Sequence, residues 1–328
     1  MNIIHRFRIA ALAVACVIFP MAAFAGESRG LPKKILCTTF PIYQLTRNII
    51  EGSESVTAEL MIPAATGCPH DYALTPQDMA KIAAADILVI NGLGMEEFMG
   101  KPVEQANPGI IIIDSSLGMD NAILHEEDDG DDHHHHNHAE NGHEEHGGDH
   151  AHHHHHGPNP HLFSSPALSA LLTETIAGRL CVLDPDGAAI YAANAAAHAG
   201  RLRALAAEMA EAGSGFTNNR IVEPHGAFDY LARDLGLDIV AHLQPHGREL
   251  SASRMIELLE TIRERKPAVI VVEKQYPAKA GETIAAETGL PVVRLDSTAA
   301  GPDDAPLDYY ETVMRGNLSV LKNTLGGQ

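Results

Sequence analysis

Histidine is the side chain that could do chemistry in this sequence, and it falls into two populations. Among 328 residues there are 21 histidines, and fourteen of them lie between His125 and His156 beside ten carboxylates and no Lys or Arg. Three others stand apart, each in a loop placed after a predicted strand. His70 lies in Gly67-Cys68-Pro69-His70-Asp71-Tyr72, His161 closes Gly157-Pro158-Asn159-Pro160-His161, and His225 sits in Glu223-Pro224-His225-Gly226-Ala227-Phe228-Asp229-Tyr230. Asp296 ends Val292-Val293-Arg294-Leu295-Asp296 in the same kind of position. Imidazole nitrogen and carboxylate oxygen are donors to divalent cations, so the residue types point to cations. Taken singly, a histidine beside a proline is an ordinary loop residue; four loop-end placements in one chain carry more weight than one.

The elements that must position these groups alternate between β-rich and helical runs. Residues 33–40, 55–62, 86–91 and 110–113 are strand-like, rich in Val, Ile, Leu and Thr. Residues 41–51 and 76–85 carry helical spacing, the second opened by Thr75 as N-cap with Pro76 in the first turn. Residues 164–182 are helical, and a longer helix follows Asp184-Pro185 to about Ala212, where Gly213 and Gly215 stop it. At 1.5 Å per residue, roughly 28 residues span about 40 Å, enough to cross a domain. Strands are predicted again at 220–223, 238–241, 268–272 and 291–295, with helices from His225, Ser251 and Pro277 and a last one at 306–325.

This rhythm predicts an α/β protein of two lobes, each a mostly parallel sheet flanked by helices, joined by one long helix. The expected division is 26–184 for the N-terminal lobe, 185–213 for the connecting helix and 214–328 for the C-terminal lobe. Within the first lobe, 125–156 has no hydrophobic periodicity and is expected to be a disordered histidine-rich loop. Ligand sites of open α/β sheets gather outside the carboxyl ends of strands, so a cleft between lobes could unite His70, His161, His225 and Asp296. His198, His242 and His246 receive no role.

Resemblance sharpens this. The run from Pro69 to Asp78 (Pro-His-Asp-Tyr-Ala-Leu-Thr-Pro-Gln-Asp), with Ile62-Pro63 before it and Ala84-Ala85-Asp86 and Asn91-Gly92 after it, resembles the first motif of the metal-binding substrate-binding proteins of ABC transporters, the zinc/manganese uptake family. Asn159-Pro160-His161 resembles the second motif, and His225 to Leu231 the third. Leu295-Asp296, Tyr309-Tyr310-Glu311 and Asn317-Leu318 are similar to the closing segment. The likeness runs in order through nearly all of the expected mature chain. It implies a metal in the interlobe cleft and delivery to a membrane permease. Carried over by position, His70, His161 and His225 are the imidazole ligands, with Asp296 a carboxylate ligand or near neighbour. Manganese-preferring relatives place Glu where His225 stands, and three imidazoles with one oxygen suit four-coordinate Zn²⁺; Mn²⁺ prefers more oxygen. One departure is Cys68, where the family commonly has Asp.

The first 25 residues read as an export signal: His5, Arg6 and Arg8, an apolar run over 9–19, then Ala23-Phe24-Ala25 as the cleavage site. A lipidated Cys16 is the rival, but Ala13-Val14-Ala15 lacks the expected Leu. A soluble periplasmic protein, cleaved after Ala25 and acting as a monomer, is expected. Cys37, Cys68 and Cys181 remain; Cys37 and Cys68 end neighbouring strands and would be the likelier pair, with three unpaired thiols the equal alternative. A net charge of -20 argues against nucleic acid. An enzyme is not expected, since His143-Glu144-Glu145-His146 has the wrong spacing for H-E-x-x-H and no G-x-S-x-G or Walker A run occurs. A periplasmic zinc buffer without a permease is the other alternative.

The histidine-rich stretch carries its own expectation. Its ten carboxylates give -10 with neutral imidazoles, and fourteen imidazolium charges would bring it to +4, so metal held there should be released as pH falls through about 6.5. Calorimetry on a variant lacking residues 125–156 should count fewer bound zinc ions; an unchanged count rules out capture by this stretch.

Overall fold

The computed structural model describes residues 33–67, 69, 72–125, 157–243 and 251–326. The expected leader, the histidine-rich stretch 126–156, and Cys68, His70 and His246 lie outside the described residues.

Apolar β-branched runs build two sheets on one plan. In the first, β1 (Lys33–Cys37), β2 (Val56–Leu60), β3 (Ile87–Ile90) and β4 (Ile111–Asp114) stand in the order β2-β1-β3-β4. In the second, β5 (Arg220–Glu223), β6 (Asp238–His242), β7 (Val269–Glu273) and β8 (Val292–Leu295) stand in the order β6-β5-β7-β8. Every neighbouring pair is parallel. The central strand β7, Val-Ile-Val-Val-Glu, is buried along its whole length, as strands covered by helices on both faces must be. In each sheet the chain steps outward from its first strand and then returns past it. The crevices between β1 and β3 and between β5 and β7 are therefore topological switch points, where ligands bind.

The helices are α1 (Phe40–Ile50), α2 (Pro76–Ala84), α3 (Gly100–Ala106), α4 (Pro166–Leu183), α5 (Ala188–Gly213), α6 (Asp229–Leu235), α7 (Ala252–Arg265), α8 (Lys279–Thr288) and α9 (Tyr309–Leu325). The Thr75 cap forms as expected, in a capping box with Asp78. By length and composition α4 could cross a membrane. Its Leu168, Leu172, Ile176 and Leu180 are instead buried in the core. The thiol of Cys37 is free and buried, with burial pushing its pKa up to about 12; Cys68, its expected partner, lies outside the described residues.

The long helix α5 begins at Ala188, slightly later than expected, and is more than a connector. It packs on α1 and α4 of the first lobe and on α6 and α9 of the second. Its buried residues Tyr191, Ala195, His198, Ala199, Leu202, Leu205 and Met209 recur at helical spacing. One core cluster runs from Ile35 and Val89 in the first sheet, through Leu202 and Leu205, to Val269 and Leu295 in the second. The lobes share this core, and residues 32–328 form a single compact unit.

A buried charged cluster ties the same helix to both sides. His198 is 1% exposed, and its Nε2 lies 3.8 Å from Glu311 Oε1 on α9. Arg201 donates Nε to that oxygen at 3.0 Å and Nη2 to Asn48 Oδ1 on α1 at 3.0 Å. Burial pushes the His198 pKa down to about 4, against the pull of Glu311. A depressed histidine contributes stability that is full above its unfolded value near 6.5 and is lost as pH falls toward 4. His198→Leu should flatten the loss of stability over that window, by at most ~1.4 kcal/mol per pH unit for one proton. Urea unfolding at about pH 7 and about pH 4.5 reads this, and an unchanged difference between the two would refute it.

Candidate metal site

The short loop Asn159-Pro160-His161 is gripped from both sheets. From the end of β3, Asn91 Nδ2 donates to Pro160 O at 2.9 Å. From the second lobe, Asn159 Nδ2 donates to Gly226 O and to Asp229 Oδ2, each at 2.8 Å, and Tyr230 donates its hydroxyl to Asn159 O at 2.7 Å. Asn159 Oδ1 accepts the His161 backbone N–H at 2.9 Å and lies 2.8 Å from His161 Nδ1. His161 is thereby buried, at 1% exposure, in the seam between lobes.

His225 follows β5 in a turn closed on Glu223, whose carboxylate accepts Gly226 N–H and, at 3.3 Å, Phe228 N–H. The two imidazoles meet edge to face, with ring centroids 5.5 Å apart. His225 Nδ1 lies 3.2 Å from Glu273 Oε1, and Glu273 ends β7, so the contact spans the β5/β7 switch point. Glu273 is 3% exposed. Burial raises its pKa, opposed by His225 and Ser297 and reinforced by the charges of Glu223 and Asp296. Among the described residues no well-aligned hydrogen bond reaches either carboxylate oxygen, and His225 and Ser297 are the groups that favour its charge.

Asp296 is 8% exposed just past β8. Its Oδ1 accepts from Gln275 Nε2 at 2.5 Å and from Thr298 N–H at 2.9 Å, and its Oδ2 lies 3.7 Å from Lys274 Nζ. Asn317 fixes the backbone on both sides, accepting Asp296 N–H at 2.9 Å and donating to Asp296 O at 2.8 Å. One carboxylate oxygen is therefore committed to the protein, and Oδ2 is the one with capacity for a cation.

His70 itself lies outside the described residues, but both flanks of its loop are fixed. Tyr72 donates its hydroxyl to the cap residue Asp78 at 2.9 Å. Gly67 has φ +81°, and a Cβ there would lie 2.8 Å from the Tyr276 hydroxyl, so the loop passes against the segment after β7 where only glycine fits. The structure thus brings His161 and His225 together and sets Glu273 beside His225; Asp296 reaches Glu273 through its charge alone, and His70 lies outside the described residues.

Sequence reasoning missed Glu273, Asn159 and the partners of His242. The signal for Glu273 was a lone acid at the end of the apolar run Val269-Ile270-Val271-Val272, the same placement that singled out Asp296. His242 Nε2 lies 2.9 Å from Glu223 Oε1 and 3.4 Å from Asp229 Oδ1. These three groups are close enough to hold a metal. Burial disfavours the charged ring, but hydrogen bonds to Asp229 and Glu223 and their charges outweigh it, pushing the His242 pKa up to about 11. A protonated imidazole has no lone pair to give, so these groups pair as ions, and a metal could enter only by displacing that proton.

Two parallel α/β lobes sharing a long helix are the architecture of the two-lobed substrate-binding proteins. The SBP FpvC of Pseudomonas aeruginosa, solved with Ni²⁺, has this fold: TM-score 0.73, 28% identity, 90% of this chain and 99% of that one covered. Over residues 35–324 the chain matches the family model of ZnuA, zinc-uptake complex component A periplasmic, and it belongs to that family. The zinc-binding lipoprotein AdcA of Streptococcus pneumoniae is 31% identical over 317 residues, 95% of this chain. This chain spans only 60% of that relative's length. The high-affinity zinc uptake system protein ZnuA of Bacillus subtilis is 28% identical, covering 92% of this chain and 90% of its own.

Partners that orient a ligating imidazole govern metal affinity through ring position and basicity, typically by 10–100-fold. Glu273→Gln keeps size and removes the charge beside His225, so zinc affinity measured by chelator competition should fall by roughly that factor. Wild-type affinity in this variant would remove Glu273 from the site.

Proposed function

We propose that this protein captures Zn²⁺ at the seam between its lobes and delivers it to an ABC permease. His70, His161 and His225 are the imidazole ligands, and Asp296 offers the carboxylate oxygen Oδ2. The observation that carries this reading is the pairing of buried His161 with half-buried His225, their ring centroids 5.5 Å apart and each Nδ1 facing an oxygen of its own, Asn159 Oδ1 or Glu273 Oε1. Rings so engaged present Nε2 to a metal as neutral donors, the arrangement that suits zinc. The zinc-binding descriptions of AdcA and of the Bacillus subtilis ZnuA support the same cargo. FpvC, solved with Ni²⁺ and with Mn²⁺, has a similar fold; the imidazole-rich set here disfavours manganese, which takes more oxygen.

In this reading the chain is exported by its leader, cleaved after Ala25, and works as a periplasmic monomer. The metal bridges ligands from both lobes, and docking on the permease supplies the differential energy that loosens the site, since the metal cannot both tighten and release it. The family is one of transport binding proteins, and the chain performs no catalysis in this scheme.

His225→Ala should lose zinc binding by calorimetry while circular dichroism stays unchanged, and it should fail to restore growth in zinc-poor medium to a strain lacking its own zinc-binding protein. Nanomolar binding by the variant would refute the ligand assignment. Failure of the wild-type chain to restore growth would favour a zinc buffer without a permease.

A further inference from the structure

We infer that Asn159 is a positioning residue for metal capture: one end of its amide sets the ring tautomer of His161, and the other ties down the loop that carries His225. This rests on the reading of His161 and His225 as ligands, and adds the group that sets them against each other.

The amide's own chemistry decides its orientation. Its oxygen only accepts and its nitrogen only donates. Oδ1 faces the His161 backbone N–H, a group that can only donate, at 2.9 Å. Nδ2 faces the Gly226 carbonyl oxygen, which can only accept, and Asp229 Oδ2, each at 2.8 Å. Reversal would set donor against donor at one end and acceptor against acceptor at the other, inside a residue that is 0% exposed. The amide is locked. Its oxygen is therefore what stands 2.8 Å from His161 Nδ1, and an acceptor at that place demands Nδ1–H. The neutral ring then carries its lone pair on Nε2, the pair a metal takes.

The other end works on the partner loop. Gly226 adopts φ +85°, and a Cβ there would lie 3.1 Å from Asn159 Nδ2 and 3.3 Å from Asp229 Oδ2. Glycine lets the backbone next to His225 close onto the amide. Asp229 is held in turn by His242 Nε2 at 3.4 Å from its other oxygen. The main chain of Asn159 is also paired, its N–H to Leu124 O at 2.8 Å and its carbonyl with the Tyr230 hydroxyl at 2.7 Å. One buried residue thus aligns the first ring and anchors the turn that bears the second. The two rings it serves lie 5.5 Å apart.

The test uses the full chain with zinc as probe. In the metal-free wild type, long-range ¹H–¹⁵N spectra of the imidazoles, with His161 identified by its loss in His161→Gln, should show hydrogen on Nδ1. Hydrogen on Nε2 would overturn the inference without any Asn159 variant. Asn159→Ala should mix the tautomers and weaken zinc binding by roughly 10–100-fold. Asn159→Asp keeps the acceptor for His161 and removes both donated bonds, so it should keep hydrogen on Nδ1 yet release zinc faster than wild type. Wild-type release from Asn159→Asp would overturn the link to the His225 loop. Full affinity in Asn159→Ala, with loss in His161→Ala and His225→Ala, would sink this inference alone. Full affinity in both histidine variants would instead sink the ligand reading beneath it.

Discussion

Burial of α5 against helices of both lobes at once is the constraint on which the site depends. Leu202, Leu205 and Tyr191 are all fully buried, and the cluster they belong to includes residues of both sheets. Apolar surface returned to water costs about 25 cal/mol per Å². A swing that exposed about 400 Å² of this core would then cost roughly 10 kcal/mol, comparable to the whole stability of an ordinary domain. The lobes are therefore confined to small tilts. His161 and His225, whose rings sit 5.5 Å apart, share the seam above this core. A small tilt there changes a ligand distance by a useful fraction without unpacking anything. The proposed capture and release of metal consequently turn on sub-ångström to ångström adjustments of loops, and on side chains such as Asn159 that hold those loops.

Much of this was legible in the sequence because it was repeated. The β/α rhythm, the Thr75 cap and the long helix depend on local patterns, and each appears within a few residues of where those patterns put it. His161, His225 and Asp296 stood out as candidates because motif and strand-end placement agreed on them. The shared core was not, since α5 has apolar residues at ordinary amphipathic spacing and nothing in a period says that a helix packs on the helices of two lobes instead of one. Glu273 was hidden for a related reason. An acid closing a buried strand reads as its end, and only the parallel alignment of β5 with β7 sets it beside His225. His242 was passed over because Pro245 breaks its helical relation to His246, whereas its partners Glu223 and Asp229 come from β5 and α6. Asn159 entered only as part of the Asn159-Pro160-His161 motif, with no role of its own. Its part depends on a carbonyl 67 residues away.

The donor set and the charge around it answer different questions about the metal. Neutral imidazoles decide softness and coordination number, but they do not decide that a cation rather than a neutral molecule belongs in the seam. Glu223, Glu273 and Asp296 do that. They end or follow β5, β7 and β8 at 0%, 3% and 8% exposure, and buried carboxylates repel one another and demand compensation. The protein supplies part of it: His242 held charged by Glu223 and Asp229, Lys274 Nζ at 3.7 Å from Asp296, and the His225 ring at 3.2 Å from Glu273. Burial raises the Glu273 pKa, and the charges of Glu223 and Asp296 push it the same way. A divalent cation bound by His225 would add compensation through the ring, polarising Nδ1–H toward the carboxylate. Selectivity in such a site divides in two: the second lobe's acids favour a dication, and the imidazoles, oriented by an amide on one ring and a carboxylate on the other, choose which one.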